Sequence, residues 1–214
     1  MIKAVIFDFD GTLVDSEQLH IDVLRKAIKT KVNVDIKPEE IGKLAGMTYL
    51  DKIRILLKDI EYDENEVLKQ AREYFFNSFK SKMKLQKGVK KVLKTISKMN
   101  FKIGLYSPNP KYVLEETLKK FGIRGYFQTI VAVEDVTRPK PHPEGYLLAA
   151  ERLNVKPEEC LVFEDTPTGY QSAKSAGMKV TVLDNPYLKN PSYPQADFFV
   201  KNFELVNEDF FSKL

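Results

Sequence analysis

Asp8-Phe9-Asp10-Gly11-Thr12 places two carboxylates two residues apart, at the end of the short apolar run KAVIFDF at 3–9. Two acids at a strand end are costly unless a cation or a substrate needs them. Gly11 permits a tight turn in which backbone N–H groups converge on an anion. A second acidic pair, Glu164-Asp165, ends the apolar run LVF at 161–163. With the first pair it could complete an all-oxygen site of the kind Mg²⁺ takes. Ser107 follows the apolar run KIGLY at 102–106, where its hydroxyl could donate to a phosphate oxygen. Lys140 lies among Pro139, Pro141 and Pro143, and a loop so restricted can hold a cation toward a site. Each piece has a plainer alternative: an Asp-rich turn, a serine that caps a helix, an exposed lysine, and acids at a helix N-terminus.

The elements needed to bring these residues together are legible in the hydrophobic pattern. Residues 3–9, 102–106, 129–133, 161–163, 180–183 and 198–200 read as short, β-rich strands. Helical periods at 88–99, 112–121, 144–153 and 168–176 alternate with them, which implies a parallel sheet covered on both faces. Residues 15–84 read as helices throughout, with Leu19, Val23, Leu24 and Ala27 on one face, Asp15 or Ser16 as N-cap, and Pro38 opening a second helix. The expected architecture is α/β: a Rossmann-like parallel-sheet core from 1–14 plus 85–214, with an inserted all-helical cap domain at 15–84. In open α/β sheets ligands bind beyond the carboxyl ends of the strands, so an insert placed after the first strand is expected to hang over the site.

Composition narrows the function classes. The 214 residues are 43% hydrophobic and 30% charged, which excludes wholesale disorder. No apolar run approaches the roughly 18 residues of a membrane span. The single cysteine, Cys160, gives no sign of an oxidising compartment, and a cytoplasmic location is expected. Net charge is +4, and residues 74–114 carry ten lysines and no acid. These lysines lack arginine companions and alternate with core-type residues, so a solvated face is expected and nucleic-acid binding is not.

The ordered set DFDGT, strand-end Ser107, Lys140-Pro141 and Glu164-Asp165 strongly resembles the four motifs of the haloacid dehalogenase superfamily of phosphotransferases, over nearly the whole chain. The helical insert is similar to the family's type I cap, and the closest subgroup resemblance is to β-phosphoglucomutase-like sugar-phosphate phosphatases and mutases. By this resemblance Asp8 is the nucleophile that forms an aspartyl-phosphate, and Asp10 is the acid that protonates the leaving group and then activates water. Asp8, the Asp10 carbonyl and Asp165 would bind Mg²⁺, with Glu164 as neighbour or outer ligand. Ser107, Lys140 and the backbone at Phe9 and Gly11 would bind the phosphoryl group. Phe9 should turn its side chain away from substrate. Pro108 departs from the usual pattern, because it lacks the N–H that relatives offer after the serine; Asn109 could compensate.

The resemblance also sets the choice between hydrolysis and mutase action. Ser16 and His20 match cap positions that gate the acid in β-phosphoglucomutase. Gly46 and Tyr49 lie in what looks like the substrate-specificity loop, where the mutase has an arginine for a second phosphate. Tyrosine cannot supply that bidentate cationic fork. Thr12 stands where the mutase has valine and also favours hydrolysis, although lysines such as Lys80 could supply the missing charge. The reading is a Mg²⁺-dependent phosphatase of a small phosphorylated metabolite, most simply a sugar phosphate, acting as a monomer with no membrane partner. β-Phosphoglucomutase action is the alternative, and a non-catalytic phosphate-binding or regulatory module is a more distant one.

Overall fold

The structure is a computed structural model describing residues 1–44, 47–188 and 191–214, with only the backbone of Lys80. The chain begins with β1 (Ala4–Phe7) and β2 (Val14–Asp15), then four helices, α1 (Glu17–Val32), α2 (Pro38–Gly42), α3 (Tyr49–Leu56) and α4 (Glu64–Lys82). It returns through β3 (Lys84–Leu85) to α5 (Val89–Lys98), β4 (Lys102–Tyr106), α6 (Lys111–Lys120) and β5 (Thr129–Val131). The last part holds α7 (Glu144–Arg152), β6 (Cys160–Glu164), α8 (Pro167–Ser175), β7 (Lys179–Leu183), β8 (Phe198–Val200) and α9 (Glu208–Phe211). Contacts divide the chain into an α/β unit (Met1–Asp15, Lys84–Asn185, Pro191–Leu214) and a helical unit (Ser16–Met83 with Pro186–Asn190).

In the α/β unit six parallel strands are ordered β5-β4-β1-β6-β7-β8. The chain steps outward from β1 to β4 and β5, then crosses to β6 and steps outward the other way. The reversal puts a crevice at the carboxyl ends of β4, β1 and β6, where ligands of such sheets bind. β1 is AVIF with every residue buried, as a central strand covered on both faces requires. Its residues alternate between two cores. Ala4 and Ile6 pack with Val162, Tyr146, Ala149 and Ala173 under α7 and α8. Phe7 stacks on Phe163 at 5.2 Å and meets Phe203 at 5.7 Å and Phe127 at 6.3 Å.

The strands expected from the hydrophobic pattern are present, those at 102–106 and 198–200 with the expected bounds and the others with ends shifted by one or two residues. A small antiparallel ladder was not legible: Val14 pairs with Leu85 and Asp15 with Lys84. Two-residue strands leave no periodic trace. The ladder places residues 15 and 84 with the α/β unit rather than with the helices.

The helical unit is built by four amphipathic helices. Leu19, Ile21, Val23, Leu24, Ala27 and Ile28 of α1 are buried, with Ile41, Ile53, Val67, Ala71 and Phe79 from the others. The Thr48 hydroxyl accepts the Asp51 N–H at 3.2 Å to start α3, and Asp63 accepts the N–H groups of Asn65 and Glu66 to start α4. Ser16 stands at the N-cap of α1 but makes no side-chain cap bond, since its ψ of −9° lies outside the extended backbone that capping needs. Lys52 is buried beside Glu17, with 3.5 Å between their charged atoms. Among the described residues no helix is long and apolar enough to cross a membrane.

Candidate active site

Asp8 lies one residue beyond β1, and its N–H still donates to the Phe163 carbonyl at 3.0 Å. Ser107 stands one residue beyond β4, with its N–H on Val131 at 3.1 Å. Glu164 ends β6 and Asp165 follows it. Three neighbouring strands therefore deliver an acid, a hydroxyl and an acidic pair to one end of the sheet. Asp8, Ser107, Glu164 and Asp165 are all buried.

Lys140 comes from the loop before α7 and closes the group. Its ammonium contacts Asp8 Oδ1 and lies 2.6 Å from Glu164 Oε1. Burial alone would lower its pKa, but Asp8 and Glu164 together hold it above the ordinary lysine value. The loop is fixed by a residue not legible as functional. Glu144 accepts the Thr137 N–H at 2.7 Å and the Arg138 N–H at 3.2 Å, as well as the Thr137 hydroxyl. Those bonds, the Thr137 N–H foremost, pull the Glu144 carboxyl down to about 2.

The acids are crowded. One oxygen each of Asp8, Glu164 and Asp165 lies within 4.8 Å of the others. Burial first, then the charge of Glu164, pushes Asp8 up to about 8 despite Lys140. Burial, Asp8 and Glu164 likewise push Asp165 well above the carboxylate range. A cluster whose members resist ionising together is one a hard divalent cation would complete, and all its donors are oxygens. The residues present therefore fit such an ion. Asp165 is held for it from both sides, by the Thr12 hydroxyl at 2.9 Å and the Asn185 amide at 2.7 Å. Glu164 is engaged differently. Oε1 accepts from Lys140 and from the Tyr146 hydroxyl at 2.7 Å, and Oε2 accepts from the N–H groups of Asp165 and Thr166 at 3.0 and 3.2 Å. Its geometry is that of a lysine anchor more than of a direct metal ligand.

The loop after β1 is shaped by its own backbone. The Phe9 carbonyl accepts the N–H groups of Leu13 and Val14 at 2.8 and 3.0 Å, and the Phe9 side chain is fully buried. Gly11 has φ +78°, and a Cβ there would lie 2.0 Å from Asp165 Oδ2. Its N–H donates to Val14 O at 2.8 Å. Gly11 supplies the turn and the clearance for Asp165. Beyond Pro108, the Asn109 side-chain amide contacts Asp10 Oδ2 and lies 3.2 Å from Ser107 Oγ, while the Asn109 N–H donates to that Oγ at 3.1 Å. Asn109 thus ties the serine to the second acid of the first motif.

Of the residues expected in the cap, Ser16, His20 and Tyr49 belong to the helical unit. His20 Nδ1 lies 2.8 Å from the Tyr49 hydroxyl, and its ring stacks on Phe75 with centroids 5.0 Å apart. Ser16 precedes the same helix and is buried. Gly46 and the Lys80 side chain lie outside the described residues. Asn185, Tyr146 and Glu144 complete the site yet were not expected there, whereas Thr12 belongs to the first motif and Asn109 was expected as a donor beside Pro108. Of the three, Asn185 alone had a signal, two residues past the expected strand end at 183.

A family profile described as haloacid dehalogenase-like hydrolase matches residues 5–183. A phosphorylated carbohydrates phosphatase of Thermotoga maritima is 31% identical over 83% of this chain and 83% of its own length. Hexitol phosphatase B of Escherichia coli K12 is 29% identical over 97% of this chain and 96% of its own. The crystal structure of a β-phosphoglucomutase from Clostridium difficile superimposes with a TM-score of 0.81 at 24% identity, covering 100% of this chain and 96% of that one. This last likeness concerns the fold.

Proposed function

The chain belongs to the haloacid dehalogenase-like hydrolases, and from that premise we propose that it hydrolyses a small phosphate monoester of the sugar or polyol class. The observation that carries the reading is the buried meeting of Asp8, Lys140 and Asp165 at the carboxyl ends of β1 and β6. The names of the relatives, which act on phosphorylated carbohydrates and hexitol phosphates, support the substrate class.

In this reading Asp8 Oδ attacks phosphorus in line with the ester bond. The P–O ester bond breaks as the new P–Oδ bond forms, and Asp10 gives its proton to the departing oxygen. Asp10, now ionised, takes a proton from water, whose oxygen attacks the aspartyl-phosphate. The P–Oδ bond breaks, which releases inorganic phosphate and regenerates Asp8. Lys140 offsets the negative charge of Asp8 and of the phosphoryl oxygens, and Ser107 donates to one of them. Asp8 and Asp165 would hold Mg²⁺, with the Asp10 carbonyl as a further donor. When bound, the ion supplies the positive charge that lets both carboxylates ionise and screens the nucleophile from the substrate dianion. Asn109 holds Asp10 beside Ser107.

The test is phosphate release from a panel of sugar and polyol phosphates, with Mg²⁺ and with EDTA. Metal-dependent release from a few of them is expected. Release unaffected by EDTA would remove the metal from the reading. No release, together with isomerisation of β-glucose 1-phosphate primed by glucose 1,6-bisphosphate, would replace hydrolysis by mutase action.

A further inference from the structure

The Lys140 ammonium is enclosed by more than its two carboxylates. It lies 5.0 Å from the centroid of the Tyr106 ring and 5.3 Å from that of Tyr146, within the range of cation–π attraction. The two rings stand 5.0 Å apart at 87° to one another, so they form a corner. Both tyrosines are fully buried. The corner is built into the backbone: a Cβ at Gly145 would lie 2.1 Å from the Tyr106 ring, so the ring occupies space that only glycine leaves open. The Tyr146 hydroxyl then donates to Glu164 Oε1, the same oxygen that accepts from Lys140.

We propose that Tyr106 and Tyr146 are positioning residues for Lys140, the rings fixing where its ammonium stands and the Tyr146 hydroxyl limiting how strongly Glu164 draws it away from Asp8. The inference rests on the reading of Lys140 as the group that meets the phosphoryl oxygens. An ammonium shared between Asp8 and Glu164 serves a phosphoryl group only if Glu164 does not capture it. A donor already seated on Oε1 occupies lone-pair capacity and weakens that pull. The ring faces stabilise the cation without adding a second anion to an already crowded cluster.

The experiment compares Tyr146→Phe, Tyr106→Leu and Gly145→Ala with the wild type in two measurements. The first is calorimetric titration of inorganic phosphate into the Mg²⁺-supplemented protein. Tyr146→Phe keeps the ring and loses the hydroxyl, so phosphate affinity should fall about tenfold, the scale of one charge-assisted hydrogen bond. The second is the ε-proton resonance of Lys140 in lysine-labelled protein, assigned by its loss in Lys140→Arg. It should lie upfield of the exposed lysines through the ring currents, remain there in Tyr146→Phe, and move toward them in Tyr106→Leu. If Tyr106→Leu does not fold, Gly145→Ala displaces the same ring and should give the same movement. A wild-type resonance at the ordinary lysine position, or phosphate affinity unchanged in Tyr146→Phe, overturns the proposal. A shifted resonance that behaves as expected in a protein releasing no phosphate from any ester would leave the positioning intact and remove the hydrolase reading instead.

Discussion

In the helical unit Arg54 meets Glu64 at 2.6 Å and Lys31 meets Glu66 at 2.8 Å, both pairs on the surface. In the α/β unit Lys140 meets Asp8 and Glu164 with all three side chains less than one-tenth exposed. The residue types are the same and the physics is opposite. An exposed pair trades water for a partner at almost no net gain. A buried set with three acids and one lysine has lost its water, and the attraction to one cation does not replace it. The fold tolerates this arrangement only where another charge is expected to arrive. Proximity of opposite charges therefore says little about function, whereas an excess of buried acids over bases at the strand ends, two of them pushed toward their neutral form, says a great deal.

The largest effect that would sharpen this contrast is on turnover. Asp8→Asn should lower kcat on the order of 10⁴-fold or more while the far-ultraviolet circular dichroism stays unchanged, the scale seen when a covalent nucleophile is removed. Retained turnover would detach the reaction from Asp8.

Next comes pH. In chelated protein Asp8 sits at about 8, above the 3.8 of an ordinary aspartate, so folding favours its neutral form. That contribution is complete below about pH 4 and is lost as pH rises through about 8, at up to about 1.4 kcal/mol per pH unit for one proton. Urea unfolding in EDTA at pH 5, 6.5 and 8 should show wild-type stability falling more steeply than that of Asp8→Asn. Mg²⁺ at pH 8 should restore the wild type selectively. Parallel curves would mean that the cluster carries no trapped charge.

The smallest effect belongs to the other side of the comparison. Arg54→Ala should move the melting temperature by no more than about 2 °C, and raising salt should erase even that. A larger shift would show that the helical unit depends on its surface pairs.

These contrasts also explain what could be read beforehand. The sheet and helices were visible because β1, β4 and β6 are continuous apolar runs and α1 keeps its apolar stripe. Asp8, Asp10, Ser107, Lys140, Glu164 and Asp165 were visible because each sits at the end of such a run or in a stiffened loop. Their supports were not. Tyr146 reads as one more core residue of a helix, and only the tertiary fold brings its hydroxyl to Glu164. Glu144 reads as a first-turn acid, and only the path of the loop brings Thr137 and Arg138 onto it. Glu164 was legible as an acid, but not as one whose two oxygens are already spoken for by an ammonium, a phenol and two backbone N–H groups. Local sequence reveals what a residue can do, and partners distant in the chain determine which of those things it does.

The ladder that joins Val14 to Leu85 and Asp15 to Lys84 has a consequence for the segment it encloses. It brings the departure and return of the chain to one hydrogen-bonded doorway, reinforced by the Gln86 N–H on Leu13 O at 3.0 Å and the Gln86 side-chain amide on Gly11 O at 3.0 Å. With both ends pinned, the closure entropy of whatever lies between depends only weakly on its length, about 0.6 kcal/mol for each doubling. The segment between is thus an exchangeable cassette. A segment held at both ends in this way can lengthen or shorten at little cost in closure entropy, while the register of the six strands and the place of Asp8 stay as they are.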